Sequence, residues 1–172
     1  MTADSPRPPS LLTQPSYLAS QVSKYGRRRL ERVLREHGLA LVHSAVLSAV
    51  DDLGPRSQQQ LADSLDLDKS HLVGPIDDLE ERKLVKRTRD PGDRRRNQVA
   101  LTPAGKSLTD ELRREGQRSQ RGFLDALSPA EQKTLISLLQ RVLAANDAAR
   151  VAATTALPAP RPRSGGGRGR GR

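Results

Sequence analysis

Cysteine is missing from the 172 residues. Its absence removes thiolate nucleophiles, cysteine metal clusters, disulfides and thiol redox sensing. Aromatic side chains are nearly missing as well, with one Phe, two Tyr and no Trp. Proteins that bind single-stranded nucleic acid usually stack bases on aromatic platforms, so this scarcity argues against that mode. No apolar run is long enough to cross a bilayer, and the opening MTADSPRPPSLL lacks the basic-then-apolar order of a secretory signal. The expectation is a cytoplasmic protein without a membrane partner. The three His residues and the helix-surface carboxylates form no acid–base pair or metal-ligand spacing, so neither enzyme chemistry, a cofactor nor a metal is expected. Acidic residues are also in deficit: 20 Asp and Glu against 30 Lys and Arg leave a formal net charge of +10. Excess charge of that size favours a polyanionic partner, nucleic acid first and an anionic membrane second.

The chain opens on a Pro- and Ser-rich arm, residues 1–14, with no periodicity and an expectation of disorder. From Pro15 to Glu36, Leu18, Val22, Tyr25, Leu30, Val33 and Leu34 recur at helical spacing. The other face carries Lys24, Arg27, Arg28, Arg29, Arg32 and Arg35, read as a solvated face in preference to phosphate contacts. Gly38 stops this helix. Leu39 to Leu53 is a second helix, almost wholly apolar and therefore buried, with His43 a hydrogen-bonded core residue. Ser57-Gln58-Gln59-Gln60 has the form of a capping box and opens a short helix containing Leu61, Ala62 and Leu65. Asp66-Leu67-Asp68 is a tight turn, and Asp68 caps the next helix, 69–82. Two helices so joined, the second apolar on one side, form a helix-turn-helix.

Leu84 to Thr88 and Gln98 to Thr102 alternate as short strands. The loop between them contains Asp90, Pro91, Gly92 and Asp93 and is dense in arginine. A hairpin wing over 84–102 follows. Thr102-Pro103 starts a polar helix running to about Leu127, weakened by Gly105, Gly116 and Gly122. Ser128-Pro129-Ala130-Glu131 starts a last helix with Leu135, Ile136, Leu138, Leu139, Val142 and Leu143 in a wide stripe. Residues 155–172 form an Arg/Gly-rich tail expected to be disordered. It is either a non-specific nucleic-acid contact or a solubilising tail.

From about Leu39 to Leu108 the chain resembles the multiple-antibiotic-resistance regulator (MarR) family of winged-helix transcription factors. QLADSLDLDKSHLVGPIDDLEERKLVKR, the wing DPGDRR and VALTPAGK carry the resemblance. It implies a mainly α fold with a small β-hairpin, within residues 15–154. A winged helix-turn-helix domain (39–102) joins a helical dimerisation lobe (15–38 and 103–149). It also implies a homodimer on double-stranded DNA, with an inverted-repeat operator whose half-sites lie roughly 34 Å apart. The expected output is repression, relieved by a small aromatic or phenolic effector that displaces the two recognition helices. Coupling of about 1–3 kcal/mol suffices. Arg28, Arg29 and His43 are the effector-contact guesses.

On helix 69–82, Lys69, Ser70, His71 and Val73 are the expected DNA contacts, with Ser70 and the helix N-terminal N–H groups binding phosphate. Leu72, Ile76 and Leu79 should instead hold the helix to the core. Gly74-Pro75 departs from the family pattern. Proline inside a helix removes a hydrogen bond and costs about 3 kcal/mol, so a kink or a later helix start is expected. Weight shifts to the wing, basic at Lys86, Arg87 and Arg89 before its tip and at Arg94, Arg95 and Arg96 after it. Arg95 is the expected minor-groove residue, and Asp93 pairs with an arginine to shape the loop. The competing reading is an architectural duplex-DNA-binding protein with little sequence preference.

Overall fold

The computed structural model describes residues 6–89, 92 and 97–156, and its elements follow the expected order. They are α1 (Pro9–Leu12), α2 (Pro15–Glu36), α3 (Leu41–Leu53), α4 (Gln58–Leu65), α5 (Ser70–Glu81), β1 (Val85–Arg89), β2 (Asn97–Leu101), α6 (Pro103–Phe123) and α7 (Pro129–Ala156). The fold is mainly helical with one antiparallel hairpin, in which Val85 pairs with Leu101 and Arg89 with Asn97. The chain divides into two units, residues 1–125 and 126–172. The tip residues Asp93, Arg94, Arg95 and Arg96 and the tail beyond 156 lie outside the described residues.

Most element ends lie within two residues of expectation, and larger differences occur at three places. Residues 9–12 form a helical turn inside the arm expected to be disordered, with Pro9 setting φ at the first helical position. Arg7, just before it, donates from Nη2 to the Tyr25 hydroxyl at 3.0 Å. α6 stops at Phe123, four residues short of Leu127, directly after the poor helix former Gly122. α7 runs on to Ala156, because its alanine-rich second half favours helix.

The first unit has one core. Leu34 from α2, Val46, Leu47 and Val50 from α3, Leu61 and Ala62 from α4, and Leu72, Ile76 and Leu79 from α5 are buried together. Val85, Val99 and Leu112 bring in the hairpin and α6. Each fully buried aliphatic side chain contributes about 1.5–3 kcal/mol, so α5 is fixed by three such anchors on one face.

The join between hairpin and α6 explains a glycine that sequence reading treats as a weakness. Thr102 Oγ1 donates to the Lys83 carbonyl at 2.7 Å and accepts the Gly105 N–H at 3.0 Å. A Cβ at Gly105 would lie 1.9 Å from the Leu84 carbonyl oxygen. Gly105 is therefore required by the close approach of the backbone that leads into β1.

Candidate nucleic-acid interface

The helix-turn-helix is built by its caps. Ser57 Oγ accepts the Gln60 N–H at 3.2 Å, and Gln60 Oε1 accepts the Ser57 N–H at 2.9 Å. α4 ends on Asp66 in the left-handed conformation, with φ of 53°. The chain turns, and Asp68 accepts both the backbone N–H and the hydroxyl of Ser70, at 2.8 and 2.7 Å. The Ser70 hydroxyl, then the Ser70 N–H, holds the Asp68 carboxyl below its ordinary range.

That cap modifies the expected phosphate site. The Ser70 N–H is taken by an anion of the protein itself, so a phosphate there would meet the Asp68 charge. Beyond that cap the helix has a solvent side and a core side. Lys69, Ser70, His71 and Val73 are exposed, while Leu72, Ile76 and Leu79 are fully buried. One side of α5 faces solvent because the other is anchored in the core. α5 is continuous from Ser70 to Glu81 with Pro75 inside it. The expected later start is thus overturned. Pro75 has no N–H to give the His71 carbonyl, but the buried anchors Leu72 before it and Ile76 and Leu79 after it hold the helix together. Beyond its chain neighbours, no atom lies within 4 Å of a Cβ built on Gly74, so this position opens on solvent.

The hairpin is attached to both helices of the motif. On one side, Arg56 and Val99 exchange backbone hydrogen bonds at 3.2 and 2.8 Å, tying β2 to the residue before the Ser57 cap. On the other, Arg87 of β1 reaches α5. Its Nη1 pairs with Glu80, its Nη2 with Asp77, and its backbone N–H donates to Glu80 Oε1 at 2.9 Å. Arg87 was expected to add positive charge to the wing; instead two carboxylates neutralise it. Arg89 is exposed. Lys69, Arg87, Gln58 and Asn97 line a cleft of ≈ 280 Å³ where α4, α5 and the hairpin meet, and Gln58 Nε2 donates to the Lys69 carbonyl at 3.1 Å.

His43 is hydrogen-bonded as the sequence suggested, but it is half-buried at the edge of the core and not within it. Its Nδ1 accepts the Ala40 N–H at 2.9 Å, and its Nε2 faces Asp78 Oδ2 at 3.3 Å. A ring that accepts at Nδ1 is neutral and carries its proton on Nε2, toward Asp78. Burial lowers the His43 pKa, Asp78 opposes that, and Arg82 adds to the lowering. Arg28 is exposed, and Arg29 lines a cavity of ≈ 10 Å³ beside Phe123, too small for an aromatic effector. The basic face of α2 is solvated, with Arg27 paired to Glu31 at 2.8 Å.

The fold also assembles groups the sequence kept apart. His37, Glu111 and Glu115 bring their ligand atoms within 4.8 Å of one another and could hold a metal ion. His37 Nε2 and Glu115 Oε2 already share a hydrogen bond at 3.0 Å. The spacing of 111 and 115 is visible in sequence, but the approach of His37 from the end of α2 is not. Asp77 and Glu80 likewise escaped notice, although acids three apart on an exposed helix before a basic strand were a usable signal. Among the described residues, no helix is long and apolar enough to cross a membrane.

The chain is similar to known proteins in sequence and in fold. The sequence pattern of the MarR family matches residues 37–96. A putative transcriptional regulatory protein for the hcr operon of Thauera aromatica is 38% identical over 86 residues, 50% of this chain and 52% of that protein. The HTH-type transcriptional repressor NicR of Pseudomonas putida is 30% identical over 105 residues, 61% of this chain and 66% of that protein. The chain thus spans about half to two thirds of the length of these curated relatives. Among solved structures, CouR from Rhodococcus jostii bound to p-coumaroyl-CoA superposes with a TM-score of 0.69 at 27% identity. That match covers 78% of this chain and 95% of CouR.

Proposed function

Because the chain belongs to the MarR family, we propose that it is a ligand-responsive, homodimeric, DNA-binding transcriptional regulator acting as a cytoplasmic repressor. It reads an inverted-repeat operator through recognition helix 69–82 and the wing 84–102. The observation that carries this reading is the division of α5, with Lys69, Ser70, His71 and Val73 exposed over the buried Leu72, Ile76 and Leu79. That division leaves one helix face free for the major groove. Exposed Arg89 supplies a backbone contact from the wing, and Arg94, Arg95, Arg96 and Asp93 remain its proposed tip residues.

Dimerisation is supported by apolar surface. On α2, Leu18, Val22 and Tyr25 are 40%, 46% and 48% exposed. On α7, Leu139, Val142 and Leu143 are 53%, 61% and 62% exposed. Apolar surface of this extent marks an association face, and two-fold association explains a symmetric operator. The effector class follows the aromatic or phenolic expectation. The p-coumaroyl-CoA held by CouR makes phenolic acids and their CoA thioesters the first compounds to try.

Footprinting the DNA beside the chain's own gene, with and without these compounds, tests the reading. Two protected half-sites related by two-fold symmetry, released by a compound, are expected. The architectural reading draws on the lack of a side chain at the exposed Gly74 position and requires equal affinity for that DNA and for random duplex.

A further inference from the structure

Resting on the DNA-binding reading above, we propose that Arg87 is a positioning residue: it locks strand β1 of the wing to the recognition helix and makes no phosphate contact. An arginine on the wing of a basic protein is ordinarily read as a phosphate contact. Here its donors already have partners. Nη1, Nη2 and the backbone N–H are all directed at Glu80 and Asp77, which stand three residues apart on α5 and so share a face. The cluster of one guanidinium and two carboxylates carries a net charge of −1. An Arg87 that turned to a phosphate would abandon both acids at the DNA surface.

The placement gives the contact its consequence. Arg87 pairs with Val99 across the hairpin, and Val99 is bonded on its far side to Arg56, before the first helix of the motif. α4, the two strands and α5 therefore form a closed frame, and the Arg87 cluster is the side that sets the wing against the recognition helix. The acids need Arg87 as much as the wing does. Unpaired, Asp77 and Glu80 would present two negative charges to the DNA. Arg87→Gln thus releases the wing and exposes repulsive charge at once.

The test is a double-mutant cycle on the full chain: wild type, Arg87→Gln, Asp77→Asn with Glu80→Gln, and the triple variant. Each binds a fluorescent duplex bearing the footprinted site. In the wild-type background Arg87→Gln should weaken binding by about tenfold or more, and in the acid-neutralised background by less than about threefold. In the acid-neutralised background, where no repulsive charge is uncovered, the slope of log affinity against log salt should be the same with and without Arg87→Gln, whereas loss of a phosphate contact lowers it by about 0.9. Equal losses in both backgrounds, or a reduced slope in the acid-neutralised one, would overturn the proposal. Hydrogen exchange on the free variants provides an arm that needs no DNA. Arg87→Gln should speed exchange in residues 85–89 and 97–101 while Leu61 and Leu72 stay protected, and unchanged exchange would also overturn it. If the wild-type chain binds no duplex, the regulator reading fails while hydrogen exchange still decides whether Arg87 holds the wing.

Discussion

Two residues show how single side chains set the local balance. Lys83 sits between α5 and β1 with φ of 59°, and the chain folds back so that the Leu84 N–H donates to the Leu79 carbonyl at 2.9 Å. A left-handed backbone costs a non-glycine residue about 1–2 kcal/mol, and glycine is the usual occupant of such a helix end. Lys83→Gly should therefore raise stability by about 1 kcal/mol, measured by urea unfolding; a loss of stability would show that the lysine side chain matters more than the backbone. His43 provides a pH dependence. Burial lowers its pKa below the ordinary value of 6.5, so the unfolded chain takes up the proton more readily. The stability His43 contributes is thus complete above the unfolded value and is lost as pH falls through the lower folded one. Protonation would also place a hydrogen on Nδ1, against the Ala40 N–H. The thermal midpoint should drop on acidification below about pH 6.5, and more steeply for the wild type than for His43→Gln, whose amide oxygen can still accept from Ala40. Identical profiles for the two proteins would contradict this assignment.

At the scale of elements, the contrast between Gly74 and Gly105 is the sharpest check. Both lie in helices, where glycine is unfavourable by about 0.5–1 kcal/mol relative to alanine. Around Gly74 there is open space, and at Gly105 a Cβ would strike the Leu84 carbonyl. Gly74→Ala should be close to neutral, because the gain of a better helix former is offset by the new Cβ against the Pro75 ring, and Gly105→Ala should destabilise the protein severely by forcing α6 away from the hairpin. Chemical denaturation of both variants settles the pair. A second inter-element contact is the Asp51 carboxylate of α3, which meets Lys106 at 3.0 Å and Arg113 at 2.8 Å on α6. These two cations hold its pKa down, so its contribution is present above the ordinary carboxyl range and lost on acidification below it. Asp51→Asn should lower the thermal midpoint at neutral pH and converge with the wild type in acid.

The same elements show what sequence could and could not disclose. α4, the turn and α5 were legible because their signals are local: the Ser57 box, the Asp68 cap, and Leu72, Ile76 and Leu79 at helical spacing. The hairpin was legible from alternation around a Pro-Gly loop. The use of Arg87 was not, because its partners are decided by how β1 lies against α5, a tertiary relation that charge counting cannot see. Pro75 misled for the converse reason. Its local cost is real, but the buried anchors on either side outweigh it, and the helix continues.

For the whole molecule, the account rests on a division of labour. The core presents one exposed helix face, the hairpin is held to that helix, and α2 and α7 each keep apolar side chains exposed, as the proposed homodimer requires. Part of the excess positive charge is compensated within the protein: Arg87 answers to α5, Arg113 to α3 and Arg27 to its own helix. On the proposed reading, specificity comes from few groups, with Lys69, His71 and Val73 foremost. Replacing His71 with Ala should reduce discrimination between operator and mismatched sites, by about 1–3 kcal/mol if His71 reads a base edge, while Lys69→Ala should weaken binding to all sequences alike. The most direct test is the affinity of the full chain for the DNA beside its own gene relative to random duplex, at physiological salt. The account predicts a ratio of about 10³ or more with a two-fold symmetric footprint; a ratio near one with no symmetric protection would contradict it.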